Sequence, residues 1–269
     1  MAITLYGAVH YWLVDHPIIS HYEWKPGKTP GATPSFVAAA VAAYLFLTLL
    51  LQRFPILPEL PSAVLRPLAA VHNTILCALS VIMAVGCALS VIHQTPPGNP
   101  MWCVCFPAGT EQRGPTFFWG HVFYFSKVLE FVDTLLILLS GSRTRRLSFL
   151  HVFHHAVVVV MCYLWLAAPQ TLFPVGVVTN SAVHVLMYGY YLLAALGHRP
   201  PWKRAVTDCQ ITQFLFGYLI SGLMLYLHFS GSGCSGMRVW VFNTIFGTTL
   251  LVLFLNFHIK NYARKRKLL

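Results

Sequence analysis

Seven apolar stretches dominate the chain: 35–54, 68–93, 116–140, 147–166, 172–197, 206–229 and 237–259. Each is long enough to cross a hydrocarbon core of roughly 30 Å. A backbone in lipid must satisfy its own hydrogen bonds, so the stretches read as transmembrane helices. Composition agrees: 57% of the 269 residues are hydrophobic and 9% are charged, against roughly 25% charged in a soluble domain. Mean hydropathy is +0.66. The expected fold is an all-α integral membrane protein with seven transmembrane helices. Residues 1–34 precede the helices, 35–259 form the membrane domain, and 260–269 make a basic tail.

The first 34 residues contain Asp15, His16, Glu23, Lys25 and Lys28, with no compact apolar core ahead of a small-residue cleavage site. They do not read as a secretory signal peptide. Pro26, Gly27, Pro30, Gly31 and Pro34 punctuate the approach to the first span, which suits a loop or interfacial segment. Seven spans put the termini on opposite sides, and lysine and arginine mark the cytosolic side. A cytosolic C-terminus gives that side 13 basic residues, against Lys25, Lys28, Arg113 and Arg238 opposite. Lys127 lies inside a span. The N-terminus is therefore expected on the non-cytosolic side, and the net charge of +11 mainly reports topology. No soluble basic face for nucleic acid is visible.

The seven cysteines lack metal-type spacing. Cys103, Cys105 and Cys234 fall in loops on the non-cytosolic side, where an oxidising compartment permits a disulfide of Cys234 with Cys103 or Cys105.

A charged side chain at mid-bilayer costs roughly 2.5–3.5 kcal/mol on insertion scales, so each one inside a span is a functional candidate. The third span carries Lys127, Glu130 and Asp133 at intervals of three, close to one helical face, with Thr134 four residues beyond Glu130. The fourth carries His151, His154 and His155 at i, i+3 and i+4, within one arc. The fifth adds Asn180, His184, Met187, Tyr188 and Tyr191 as a stripe. The sixth opens with Thr207 and Asp208, which equally suit a helix N-cap, followed by Gln210 and Gln213. At 1.5 Å per residue, Asp133, Glu130, His154, Gln210 and Gln213 lie roughly 9–16 Å from the cytosolic loops, with Lys127 and His184 near 20 Å. Four helices thus aim polar residues at one layer, as for a buried site opening to the cytosol.

Two chemistries suit such a layer. HxxHH boxes supply imidazoles to iron in membrane desaturases and hydroxylases, but those di-iron sites draw on several boxes. This chain has one, with His184 as a further ligand and Glu130 or Asp133 as a carboxylate. Alternatively, a neutral imidazole in a water-poor cavity can attack a thioester, form an acyl-imidazole and expel a thiol. A proton-coupled seven-helix transporter is the non-enzymatic rival. Against it, the polar layer is biased to one side and no helix shows the Gly/Pro break of a substrate gate.

The residues resemble a known family at four blocks. Lys127–Thr134 reads KVLEFVDT and fits KxxExxDT; His151–His155 reads HVFHH and fits HxxHH. His184–Tyr191 reads HVLMYGYY and fits HxxMYxYY, and Thr207–Gln213 reads TDCQITQ and fits TxxQxxQ. In this order and spacing they resemble the ELO family of very-long-chain fatty acid elongases, over about residues 35–269. The resemblance implies a 3-ketoacyl-CoA synthase of the endoplasmic reticulum membrane that condenses acyl-CoA with malonyl-CoA and releases CO2. It implies no cofactor and no metal, and a barrel of helices two to seven around an acyl tunnel, the first helix outside. His154 would carry the acyl group with His184 opposite, while His151 and His155 orient substrate or stabilise the enolate. Lys127, Glu130, Asp133, Asn180, Tyr188, Gln210 and Gln213 would support the site. Arg143, Arg145, Arg146, Lys203 and Arg204 border the cytosolic mouth, where they could bind CoA phosphates. Lys265 and Lys267 resemble a dilysine retrieval signal. The implied partners are membrane lipid and the ketoreductase, dehydratase and enoyl reductase of the elongation cycle; a homodimer is also compatible.

Overall fold

The computed structural model describes residues 4–54, 58–140, 147–198 and 200–263. About 75% of the described residues are helical. The only β pairing among them is two isolated bridges, Glu23 with Arg113 and Pro107 with Cys234. Two short helices, α1 (Leu5–His10) and α2 (Pro17–Ser20), flank a π-helical turn at Tyr11–Asp15. The long helices follow: α3 (Pro34–Arg53), α4 (Ser62–Gln94), α5 (Pro115–Leu129), α6 (Phe131–Leu138), α7 (Phe149–Ala167), α8 (Phe173–Ala195), α9 (Lys203–Ser230) and α10 (Met237–His258).

Among the described residues, five helical segments are long and apolar enough to cross a membrane: Pro34–Arg53, Ser62–Gln94, Phe149–Ala167, Lys203–Ser230 and Met237–Tyr262. The chain is therefore a multi-pass membrane protein. The sequence-predicted third span, 116–140, is divided between α5 and α6. The division falls at Glu130, where Asp133 N–H reaches back to the Glu130 carbonyl at 3.0 Å, a tight i→i+3 bond in place of the regular helical ladder. The predicted fifth span coincides with α8, which carries Asn180, Ser181, His184 and three tyrosines and is not among the five. The sixth begins earlier than expected. Because α9 starts at Lys203, Thr207 is buried inside the helix and is not its cap.

Local chemistry sets several helix starts. Thr33 caps α3 by accepting from Phe36 N at 3.3 Å, with Pro34 at the first position. Ser148 caps α7 by accepting from His151 N at 3.2 Å. The cap of α5 comes from another helix: Gln94 Oε1, at the end of α4, accepts from Thr116 N at 2.7 Å. Gly114, at φ +85°, turns the chain into that helix, and a Cβ there would lie 2.3 Å from the Gln94 amide. Only glycine fits both demands.

α4 packs along α8 and α5; α5 packs on α7; α7 meets α10; α10 meets α9; and α9 returns to α8. α3 lies against α6 and α7. Aromatic residues fill the core toward one end of the bundle, among them Trp24, Trp102, Phe106, Phe117, Trp119 and Phe173. The Trp119 indole presses so closely on Gly86 of α4 that a Cβ there would sit 2.3 Å from the ring. At the same end Cys105 and Cys234 are joined by a disulfide, and Cys103 is a free thiol. Burial holds that thiol above its ordinary pKa range. Large apolar side chains such as Phe46, Leu219 and Ile245 face outward, as lipid contact requires. The opposite end carries Ser148 and Lys203.

Candidate active site

The charges of the third predicted span separate into two groups on either side of the break at Glu130. Lys127 and Glu130 are 1% and 2% exposed, so each needs a partner to remain charged. Lys127 Nζ donates to Glu130 Oε1 at 2.7 Å and to Asn180 Oδ1 at 2.9 Å, and lies 3.4 Å from His184 Nδ1. It also sits 4.3 Å from the centre of the Phe123 ring. His184 Nδ1 lies 3.3 Å from Glu130 Oε1. Asn180 and His184 can both reach this group because they are four apart on α8.

Asp133 is held differently. Its Oδ1 lies 2.9 Å from His72 Nε2 of α4, and its Oδ2 accepts from the Tyr188 hydroxyl at 2.8 Å. Next to it, the Thr134 hydroxyl lies 2.8 Å from His151 Nε2 and 3.0 Å from the Tyr44 hydroxyl of α3. Tyr44 is stacked on Phe131, ring centres 4.2 Å apart.

The three box histidines do not share one environment. His151 is tied to Thr134. His155 is buried, with Nδ1 4.0 Å from Glu130 Oε2, beyond hydrogen-bond reach. His154 faces a cavity of about 140 Å³, roughly ten times what one water needs. Its Nδ1 is sealed from solvent and has no hydrogen-bond partner. The three imidazoles still adjoin: ring centres are 4.4 Å apart for His151 and His155, and 5.3 Å for His154 and His155. Phe246 of α10 lies nearly parallel to the His154 ring at 6.5 Å.

The cavity runs between α5, α7, α8, α9 and α10. His154, Asn180 and Gln213 line one end; Trp165, Gln170 and Leu172 line the other. From His154 to Trp165 along α7 is about 16 Å. No aspartate, glutamate, lysine or arginine lies among its lining residues. The charged groups stand behind its wall, and Asn180 connects the two by lining the cavity while accepting from Lys127.

Gln213 thus joins the site as the spacing suggested. Gln210 donates to Met187 Sδ at 3.5 Å, apart from the charged groups. Asp208 lies 2.8 Å from His258 Nε2 and 3.6 Å from Arg204 Nε, which ties Arg204 to its own helix. Lys203 is exposed at the start of α9. Arg143, Arg145, Arg146, Lys265 and Lys267 lie outside the described residues. Sequence reasoning missed His72 and Tyr44, the partners of Asp133 and Thr134. Both are polar groups inside apolar stretches, which is the signal that could have found them. It also missed Gln170, fully buried with neither amide atom partnered.

The donor set bears on metal binding. Glu130, Asn180 and His184 converge on the Lys127 ammonium. Among the described residues, the three-donor grouping compact enough for a metal is His10, Asp15 and His93, at the disulfide end.

The fold and site define a polytopic helical membrane protein with a histidine-lined internal cavity backed by a buried ion-pair network. Residues 29–268 match the ELO: GNS1/SUR4 family, and the chain belongs to that family. It is 31% identical over 261 residues to fatty acid elongase A of Dictyostelium discoideum, covering 92% of this chain and 90% of that protein. It is 25% identical to the fatty acid elongase 3-like protein of Arabidopsis thaliana, covering 99% and 96%. Very long chain fatty acid elongase 2 of Mus musculus is 32% identical, covering 76% and 69%.

Proposed function

We propose that this chain is a fatty acid elongase acting as a very-long-chain 3-ketoacyl-CoA synthase. The observation that carries the reading is the state of His154. Of the three box imidazoles it lines the cavity, and its Nδ1 is free of hydrogen bonds. A neutral imidazole in that position has a lone pair to offer, while Thr134 holds its neighbour His151. The family and the elongase relatives support the same assignment.

The chemistry follows in two steps. A ring nitrogen of His154 attacks the thioester carbonyl of a long-chain acyl-CoA; a C–N bond forms, the C–S bond breaks, and CoA leaves as the thiol with the ring proton. Malonyl-CoA then loses CO2, and the resulting enolate carbon attacks the acyl carbon. A C–C bond forms, the C–N bond breaks, and the departing ring nitrogen takes up a proton from solvent, which restores the neutral imidazole. With no charged side chain on its lining, the cavity gives water no ion to gather around, which favours survival of the acyl-imidazole. Lys127, Glu130, Asn180 and His184 fix the wall beside it.

The helix neighbours support a six-member ring in which α5 and α6 together form one span, with α3 outside and the cavity as the acyl tunnel. With α8 as a further crossing the count is seven. Positive-inside bias then places the disulfide end in the lumen of the endoplasmic reticulum and the Lys203 end in the cytosol, where acyl-CoA enters.

The test is direct. Purified protein given long-chain acyl-CoA alone should gain one acyl mass on the peptide containing His154, and malonyl-CoA should discharge it with release of CO2. His154→Ala should abolish both. A folded His154→Ala protein that still condensed the two substrates would refute the nucleophile assignment.

A further inference from the structure

The chain carries a second group of chemically capable side chains, two of them ahead of the family match, which begins at residue 29, and the third inside it. His10 ends α1, Asp15 ends the π-helical turn, and His93 lies in the last turn of α4. His10 Nδ1 is 2.7 Å from Asp15 Oδ2. The His10 and His93 rings are 5.4 Å apart. One donor atom from each of the three residues lies within 4.8 Å of the others.

The backbone explains why residues five apart meet. In an α-helix they would be separated by about 140° around the axis. The π-turn closes i→i+5, seen here as His16 N–H reaching the Tyr11 carbonyl at 2.8 Å, and the widened turn brings His10 and Asp15 onto one face. That turn packs against α4, which supplies His93. An ordinary ion pair would account for His10 and Asp15 alone. It gives no reason for a second imidazole from a distant helix to close the triangle.

We propose that His10, Asp15 and His93 form a zinc site that clasps the N-terminal segment to the end of α4. Two imidazoles and one carboxylate are a ligand set suited to Zn²⁺, with a fourth position left for water. Donors placed at zinc distances of about 2.0–2.2 Å in a tetrahedron stand roughly 3.3–3.6 Å apart. Asp15 and His93 are exposed, so both can reach that spacing by side-chain rotation. The metal takes the position of the proton between His10 and Asp15 and draws His93 inward. The clasped segment presents Leu5, Tyr11 and Trp12 to the surroundings, the residue types that seat a helix in a membrane interface. The clasp would fix that anchor to the bundle.

The test uses the full chain without a polyhistidine tag, in detergent, stripped of metal and titrated with zinc against a chromophoric chelator. Wild type should take up one more equivalent than His93→Gln. His10→Gln and Asp15→Asn should each weaken that binding at least about tenfold, since even partners outside the ligand shell change affinity by 10–100-fold. Cobalt substitution should give the visible absorbance of a tetrahedral site in wild type alone. All variants should keep the wild-type far-UV circular dichroism, because the three side chains lie at the surface end of the bundle. Zinc uptake equal in wild type and His93→Gln, or unchanged by Asp15→Asn, would overturn the proposal. Neither outcome touches the elongase reading, which is measured by condensation.

Discussion

Replacing Lys127 with methionine should destabilise the protein chiefly through the charge it leaves behind. Breaking a buried ion pair by removing one partner costs about 3–5 kcal/mol. Glu130 loses its 2.7 Å bond to Nζ but keeps His184 at 3.3 Å, so the lower end, about 3 kcal/mol, applies. Asn180 Oδ1 also loses its donor at 2.9 Å, adding about 1 kcal/mol. The total of about 4 kcal/mol corresponds to a fall in Tm of about 8–16 °C at the scale of a 150–250-residue domain. The double variant Lys127→Met with Glu130→Gln removes both charges and should lose only about 1–2 kcal/mol, because no uncompensated ion remains. Adding Glu130→Gln to Lys127→Met should therefore recover about 2–3 kcal/mol. Thermal unfolding of the purified protein in one detergent, followed by circular dichroism, measures all the variants. A double variant as unstable as the sum of the two singles would refute the reasoning, since methionine would then be failing by packing and not by orphaning Glu130.

Cys105→Ser should lower stability by about 2–4 kcal/mol, because the disulfide to Cys234 closes a loop spanning 129 positions. Reduction of the wild type should give the same loss, and Cys103→Ser should give almost none; equal losses in Cys103→Ser and Cys105→Ser would contradict this. Gly217 lines the cavity, and a Cβ there meets nothing within 4 Å, so Gly217→Leu should fill space meant for the acyl chain and shift products to shorter lengths. Gly222 has equally open surroundings but lies off the cavity; a product shift of the same size in Gly222→Leu would show that the cavity is not the chain's path.

Much of the helical layout was legible because burial in lipid leaves a composition signal that tertiary packing does not disturb. The predicted 35–54 became Pro34–Arg53 and 237–259 became Met237–His258. Where helices run past the apolar region the signal fails. α4 begins at Ser62, ahead of Arg66 and Pro67, and α9 begins at Lys203, ahead of Thr207. The break at Glu130 had no glycine or proline to announce it. It accompanies the pairing of Lys127 with Glu130, Asn180 and His184, a tertiary event. The candidate site was legible as a set of polar anomalies, and His154, Asn180 and Gln213 do line one cavity end. The partition among the histidines was not legible. Spacing puts His151, His154 and His155 in one arc, but Thr134 on α6 takes His151 and Glu130 faces His155. Which imidazole remains for the cavity is decided by neighbours on another helix, distant in sequence.

That partition suggests why an acyl-transferring cavity would keep its charges behind the wall. An ammonium or carboxylate facing the tunnel would organise water around itself, and water is the competing acceptor for an acyl-imidazole. Moving Lys127 and Glu130 behind Asn180 pairs the two charges at 2.7 Å and leaves neutral groups on the cavity surface. The pair still acts on the site, because Asn180 is held by Lys127 on one side and lines the cavity on the other. His154 pairs with none of these groups, and that suits a nucleophile: an Nδ1 without a partner leaves the ring free to acquire and release an acyl group without first breaking a hydrogen bond. The same division explains why three histidines are present when one would carry the chain. His151 is anchored to Thr134 and His155 is buried against both of its neighbours, which fixes the helix that presents the third.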